Sequence, residues 1–190
     1  MLRLFSPKKT EEILARLSPL IDRISGDYDV PAACIRAVLY REMTEIDLWD
    51  PAADLAVLLF GRADSSTGYA QIFGRVAVRA LAFADARRIE TWERMGFERP
   101  LSDADPADVR RMWLRLNREA EFNLRMGTLN LLAAADEVVG NTDFSGMTPD
   151  ELKRAFSRYN ASTSSVTGYG EAVYAYYLRF CGADEHAKPG

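Results

Sequence analysis

Hydrophobic positions along the chain recur every three or four residues, which is the spacing of amphipathic helices. The first run follows Thr10 and the acidic pair after it, and Pro19 lies inside it, where a proline kinks or splits a helix. Gly26 to Asp29 ends this run. Pro31 then opens a second helix at its first position, and this helix runs to Glu42.

The same spacing predicts further helices to the end of the chain. Their expected ranges are 51–60, about 76–83, a short helix Ile89–Met95, a long run from Asp105-Pro106 to about Val139, a helix opened by the capping box Thr148-Pro149-Asp150-Glu151, and a final aromatic helix opened by Gly170. Gly127 marks close packing or a break. No stretch alternates with period two for long enough to predict a strand. The chain is therefore predicted to be all-α, with roughly eight helices around one core. The expected organisation is an N-terminal helix in 1–29 that packs on a main domain, 30–181, followed by a polar tail, 182–190.

Composition narrows the classes of function. The chain has 190 residues with a net charge of −4, which argues against a general nucleic-acid surface. Cys34 and Cys181 lie in apolar helical contexts and are expected to be buried free thiols. His186 is the only histidine and lies in the polar tail, so neither a zinc site nor a histidine triad is expected, and no cofactor is implied.

The N-terminus shows no apolar segment or cleavage site of a signal peptide, and no window approaches the length of a membrane span. As written, the sequence predicts a cytoplasmic protein without a membrane span.

A short stretch, Ser65 to Phe73, interrupts the helical pattern. It is small and polar at its start, apolar at its end, and holds Gly68 in the middle with Gln71 after it. Such a segment is typical of an ordered turn that presents Tyr69 and Gln71 to a cleft. The alternative is a helix N-terminus capped by Ser66 or Thr67.

Two other polar positions are candidates for chemistry. Glu42 ends an apolar helix, where partial burial would raise its pKa towards the range of a general acid. The alternative is an ion pair with Arg41 or Arg36. Tyr159 and Asn160 end the capping-box helix and could orient a carboxyl and a sugar, or could instead be a core tyrosine and a helix cap.

Taken in order, Glu42 at a helix end, Gly68-Tyr69-Ala70-Gln71-Ile72 and Tyr159-Asn160-Ala161 resemble the catalytic domain of soluble lytic transglycosylases and goose-type lysozymes. The resemblance extends from about Val30 to Phe180 and implies a lysozyme-like helical fold. Three positions depart from the family pattern: Met43 replaces serine, Tyr69-Ala70 replaces Leu-Met, and Ser162 replaces glycine. Gln71 also follows Glu42 by 29 positions, a long interval that includes the extra helix 51–60, and a long insertion precedes Tyr159.

The resemblance implies cleavage of the glycan strand of peptidoglycan, with Glu42 as general acid and then base. It also implies that Tyr159 donates a hydrogen bond to Glu42, that both residues share one groove with Gln71, and that an apolar wall raises the Glu42 pKa. The implied glycan-binding residues are Ser66, Gly68, Tyr69, Gln71, Tyr159 and Asn160. Hydrolysis, unlike transglycosylation, would need a second carboxylate. Asp64, just before the glycine turn, is the first candidate, with a loop cap as its alternative, and the others are Asp47, Asp50 and Asp54.

A cell-wall substrate requires a route across the membrane that does not use a signal peptide, such as release by a phage-type system. Two other functions stay open. One is a lysozyme-like binding or structural module without turnover, which the three departures and the missing leader motivate. The other is an intracellular helical regulator, motivated by the arginine pairs Arg87-Arg88 and Arg110-Arg111.

Overall fold

The structure is a computed structural model that describes residues 5–45 and 64–186, with side chains as far as residue 182. Seven α-helices lie in these ranges: α1 Pro7–Tyr28, α2 Ala32–Glu45, α3 Gly74–Ala86, α4 Pro106–Arg118, α5 Ala120–Val139, α6 Pro149–Asn160 and α7 Gly168–His186. A 3-10 turn spans Phe144–Gly146, and two short strands, β1 Ser66–Thr67 and β2 Ile72–Phe73, form one hairpin. The all-α prediction is confirmed, with seven helices in the described residues rather than eight. The helix expected at 51–60 lies outside them.

The helix ends follow from local capping chemistry. The Ser6 side chain accepts a hydrogen bond from the Lys9 N–H and starts α1 ahead of the expected Thr10. This helix continues through Pro19 without a break and ends at Asp29, which adopts a left-handed conformation with φ 53°. The expected caps are confirmed at Asp105, before α4, and at the Thr148–Glu151 capping box of α6.

The expected short helix at Ile89–Met95 is wrong, because this segment forms only turns. Left-handed residues bracket it, Arg88 with φ 59° before and Gly96 with φ 77° after. The few residues between them cannot offset the cost of nucleating a helix. The last helix begins at Gly168, two residues before the expected Gly170.

The chain forms two compact units. Unit 1 contains Phe5, Glu45 and the described residues 64–130. In it α3 contacts α4, and the hairpin contacts both helices. The strands pair antiparallel, with Ser66 opposite Phe73 and Thr67 opposite Ile72. Its core includes the fully buried side chains of Leu81, Met112, Trp113, Leu116, Leu124 and Met126.

Unit 2 contains residues 6–44 and the described residues from 131 onward. In it α7 packs along α6, and Arg36 of α2 contacts Ser18 and Asp22 of α1. Aromatic contacts join Tyr40 of α2 to Tyr176 and Phe180 of α7. Its core includes Ile21, Ile24, Cys34, Phe144, Phe156 and Val173. Among the described helices, none combines the length and apolar character that crossing a membrane requires.

Candidate functional site

The carboxyl group of Glu42 is bound by a tyrosine of a distant helix. Glu42 lies in the last turn of α2 and is half-buried. The hydroxyl of Tyr169, in the first turn of α7, donates a hydrogen bond to its Oε1. The two residues are 127 positions apart in sequence, so the contact depends on the tertiary fold of unit 2.

Tyr159, at the end of α6, lies in the electrostatic field of the same carboxylate. Burial and then the charge of Glu42 hold the pKa of Tyr159 well above its ordinary value. The same two causes raise the pKa of Tyr169. Both phenols stay protonated at neutral pH, and that of Tyr169 donates to Glu42. The predicted proximity of Tyr159 to Glu42 agrees with this electrostatic effect, and the hydrogen bond predicted between them stays a prediction.

The guanidinium of Arg41 flanks this group. Its Cζ lies 5.6 Å from the centre of the Tyr169 ring, within the range of a cation–π contact. Neighbouring residues of α2 therefore contact both ends of one tyrosine, Arg41 at the ring and Glu42 at the hydroxyl. Such a pair of contacts restricts the ring orientation and so fixes the direction of the hydrogen bond to Glu42.

A glycine sets the position of Tyr169. A Cβ atom added to Gly170 would lie 2.1 Å from Ser157 Oγ and 2.4 Å from the Lys153 carbonyl oxygen, both on α6. The start of α7 therefore packs directly on the helix that carries Tyr159. Sequence reasoning missed Tyr169, although its position between Gly168 and Gly170 at a helix start was a usable signal. Asn160 is exposed at the end of α6.

The stretch from Asp64 to Gly74, in unit 1, forms an ordered turn, as predicted. The alternative, a helix N-terminus capped by Ser66 or Thr67, is wrong because both residues lie in β1. The helix that follows, α3, starts at Gly74 and is capped by Asp64. The carboxylate oxygens of Asp64 accept hydrogen bonds from the N–H groups of Gly74, at 2.6 Å, and of Arg75, at 3.0 Å. Burial raises the pKa of Asp64, and these two bonds oppose the rise.

Gln71 has an unusual backbone for a non-glycine residue, with φ 43°. Its side chain closes the turn: Nε2 donates to the Gly68 carbonyl at 2.8 Å, and Oε1 accepts from Ser66 Oγ at 3.1 Å. A glutamine amide has two N–H donors and two acceptor sites. These two bonds use one donor and one acceptor, so Gln71 supports the turn and retains capacity for a ligand.

Asn123 holds the turn from α5, and sequence reasoning missed it. Its side chain is fully buried, with Oδ1 accepting from the Ala70 N–H at 2.8 Å and Nδ2 donating to the Thr67 carbonyl at 3.0 Å. Asn117 Nδ2 donates to Thr67 Oγ1 at 2.9 Å. A single amide in the apolar run Phe122-Asn123-Leu124 was the available signal. The turn is thus fixed before any ligand arrives.

The chain matches no protein-family model, no curated protein and no solved structure. The lysozyme-like resemblance thus stays a prediction. Because Glu42 and Gln71 belong to different units, their meeting in one groove also stays a prediction. Asp47, Asp50 and Asp54 lie outside the described residues.

Proposed function

We propose that this protein cleaves the glycan strand of peptidoglycan, with Glu42 as general acid and then base. The observation that carries the proposal is the hydrogen bond from Tyr169 to the half-buried Glu42 carboxyl. Glycosidic cleavage needs a carboxyl group that delivers its proton from a fixed direction to the leaving oxygen. A tyrosine that stays protonated beside this carboxyl supplies such a fixed anchor.

The proton transfer follows from the anchored oxygen. Tyr169 donates to Oε1, so the transferable proton of Glu42 is carried on Oε2. Glu42 gives this proton to the glycosidic oxygen as the bond to the anomeric carbon breaks. The resulting carboxylate then removes the proton of a hydroxyl group on the same sugar. The oxygen of this hydroxyl attacks the anomeric carbon and closes an intramolecular anhydro ring. The phenol of Tyr169 stabilises the carboxylate in this second state.

The proposal favours this transglycosylase reaction over hydrolysis. Hydrolysis would require a second carboxylate to act as nucleophile or base. In Asp64, the candidate within the described residues, both oxygens accept backbone N–H groups at the start of α3. Intramolecular attack needs no second carboxylate, so it requires only Glu42 and its tyrosines.

Two departures from the family pattern do not weaken the proposal. Met43 is fully buried, and Ala70 is 1% exposed. Both side chains therefore belong to the core of their units, and neither takes part in the hydrogen bond between Tyr169 and Glu42. The third departure, Ser162, is exposed after α6.

The test is release of soluble fragments from purified sacculi by wild type, Glu42→Gln and Glu45→Gln. Glu45→Gln is the matched control, because it changes the same residue type in the same way, in the same turn of α2. We expect Glu42→Gln to lower release by at least about a hundredfold, as for a lost general acid, and Glu45→Gln to retain it. Equal release by wild type and Glu42→Gln would refute the proposal. Digestion in ¹⁸O-labelled water separates the two reactions, because only hydrolysis places the label in the product.

Tyr169→Phe tests the anchor without removing the acid. Loss of one charge-assisted hydrogen bond, worth about 1.5–3 kcal/mol, should lower the rate by roughly tenfold to a hundredfold and change its pH profile. A Tyr169→Phe protein with the wild-type rate and pH profile would show that the hydrogen bond does not serve catalysis.

A further inference from the structure

Unit 1 contains a cavity beside the Gly68–Gln71 turn that takes no part in the proton transfers described above. Its volume is about 300 Å³, at the lower end for small-molecule sites, which suits one sugar ring. It lies where the end of α4 and the start of α5 face the turn. The lining residues are Phe5, Gly68, Tyr69, Leu116, Asn117, Arg118, Ala120 and Asn123.

The charge of this cavity is positive and uncompensated. Arg118 is exposed and has no ion-pair or hydrogen-bond partner within the described parts of the chain. None of the residues that line the cavity is acidic. The chain as a whole has a net charge of −4, so an unpaired cation at the wall of a cavity would attract an anion to this one place.

A second cavity in unit 1 provides the contrast. It measures about 290 Å³ and contains Arg94, Arg115 and Arg125 together with two glutamates. Arg115 pairs with Glu119, and Arg125 pairs with Glu121. Arg115 and Arg125 are thus paired within the protein, whereas the Arg94 side chain, like that of Arg118, is not paired with any described residue. Unlike the first cavity, the second one also presents two carboxylates, which repel an anion.

The walls of the first cavity favour a ring as the carrier of the anion. Tyr69 is half-exposed, and its hydroxyl has no partner in the described residues. Phe5 and Leu116 add apolar surface. An aromatic face and a phenol are groups that bind a pyranose ring. Asn123 fixes the turn in advance, so binding there would cost little ordering.

We propose that this cavity binds a sugar that carries a free carboxylate, with Arg118 binding the carboxylate and Tyr69 the ring. The choice of a sugar as the carrier rests on the proposed glycan-cleaving function. In peptidoglycan the lactyl carboxyl of muramic acid is an amide wherever a stem peptide is attached. The cavity would then select strands whose stem peptides have been removed, so an amide-hydrolysing reaction must supply its ligand.

The experiment is a titration of the Glu42→Gln protein with N-acetylmuramic acid, followed by amide chemical shifts and calorimetry. The comparison ligands are N-acetylglucosamine and the amide of N-acetylmuramic acid, which lack the carboxylate. Arg118→Gln is the test variant. Arg94→Gln is the matched control, because the Arg94 side chain is also exposed and has no partner in the described residues.

We expect N-acetylmuramic acid to shift the amide signals of Tyr69 and Ala120, and Arg118→Gln to weaken its binding by about tenfold or more. Arg94→Gln should bind N-acetylmuramic acid as tightly as the parent protein does. The two uncharged ligands should bind Arg118→Gln and the parent protein with equal affinity. Equal affinity of Arg118→Gln and the parent, or no binding by the parent, would overturn the inference. Since the readout is binding without turnover, an Arg118 effect in a protein that does not digest sacculi would leave the cavity assigned and refute only the enzyme.

Discussion

Replacing Gly68 by alanine should show how tightly the turn and α5 are coupled. Gly68 has φ +71°, and a Cβ there would lie 2.2 Å from Asn123 Nδ2. The left-handed backbone alone costs an alanine about 1–2 kcal/mol. Displacing Asn123 adds the loss of its two buried hydrogen bonds, about 2 kcal/mol more. We expect Gly68→Ala to lower the free energy of unfolding of unit 1 by about 3–4 kcal/mol.

The chain offers a matched control for each contribution. Gly140 has nearly the same backbone, φ +74°, but nothing within 4 Å of an added Cβ. Gly140→Ala should therefore cost only the backbone term, about 1–2 kcal/mol. In an Asn123→Ala background the clash at Gly68 is absent, so Gly68→Ala should again cost only this amount. The double-mutant cycle should show a coupling of about 2 kcal/mol.

Urea denaturation followed by tryptophan fluorescence measures the changes at Gly68 and Asn123, and circular dichroism measures the Gly140→Ala control, which lies in unit 2. Trp92 and Trp113 are both buried in unit 1, so their signal reports on this unit. Trp113 is fully buried, and its Nε1 donates to Ser65 Oγ next to the turn. Additive effects of Gly68→Ala and Asn123→Ala on the free energy of unfolding would refute the proposed coupling between the turn and Asn123. The coupling would also be refuted if Gly68→Ala lowered the free energy of unfolding by no more than Gly140→Ala does.

Three further predictions concern unit 2. Burial holds the pKa of the Cys34 thiol far above its usual range, so a maleimide should label native protein only at half-buried Cys181, and both thiols after unfolding, as counted by mass spectrometry. Gly170→Ala should cost about 1–3 kcal/mol by overpacking against α6, as measured by urea denaturation followed by circular dichroism. Hydrogen bonds from Thr148 lower the Glu151 pKa below its ordinary 4.5, so their stabilisation is complete above that pH and is lost as pH falls through the lowered value. Glu151→Gln should be less stable than wild type at pH 7, and the gap in melting temperature should close in strong acid.

The fold class and most helix ends could be predicted because they depend on nearby residues. Three-four spacing gave the helices, and the caps at Asp105 and Thr148 act within three positions. The hairpin could not be found this way, because each strand has two residues and shows no alternation. Its stability comes instead from Asn123, which is 53 positions from the Ala70 N–H that it accepts.

The candidate site was only partly predictable for the same reason. Glu42 and Tyr159 could be singled out from their places at helix ends, but the hydrogen bond from Tyr169 depends on the packing of α7 against α6. That packing depends on Gly170, because a side chain there would collide with Ser157. The sequence alone does not show that these two residues are in contact. Gln71 was correctly placed in a turn, yet its bonds to Gly68 and Ser66 show a structural role that sequence alone did not separate from binding.

Unit 2 consists of two segments that are separated in the chain by residues 45–130 of unit 1. During translation α1 and α2 therefore emerge long before the helices that complete their core. At ordinary rates of synthesis the 127 positions from Glu42 to Tyr169 take roughly ten seconds. Residues 45–130 of unit 1 are made within this interval. A chain released early would carry Glu42 without Tyr169, so the anchored carboxyl exists only in chains translated into α7.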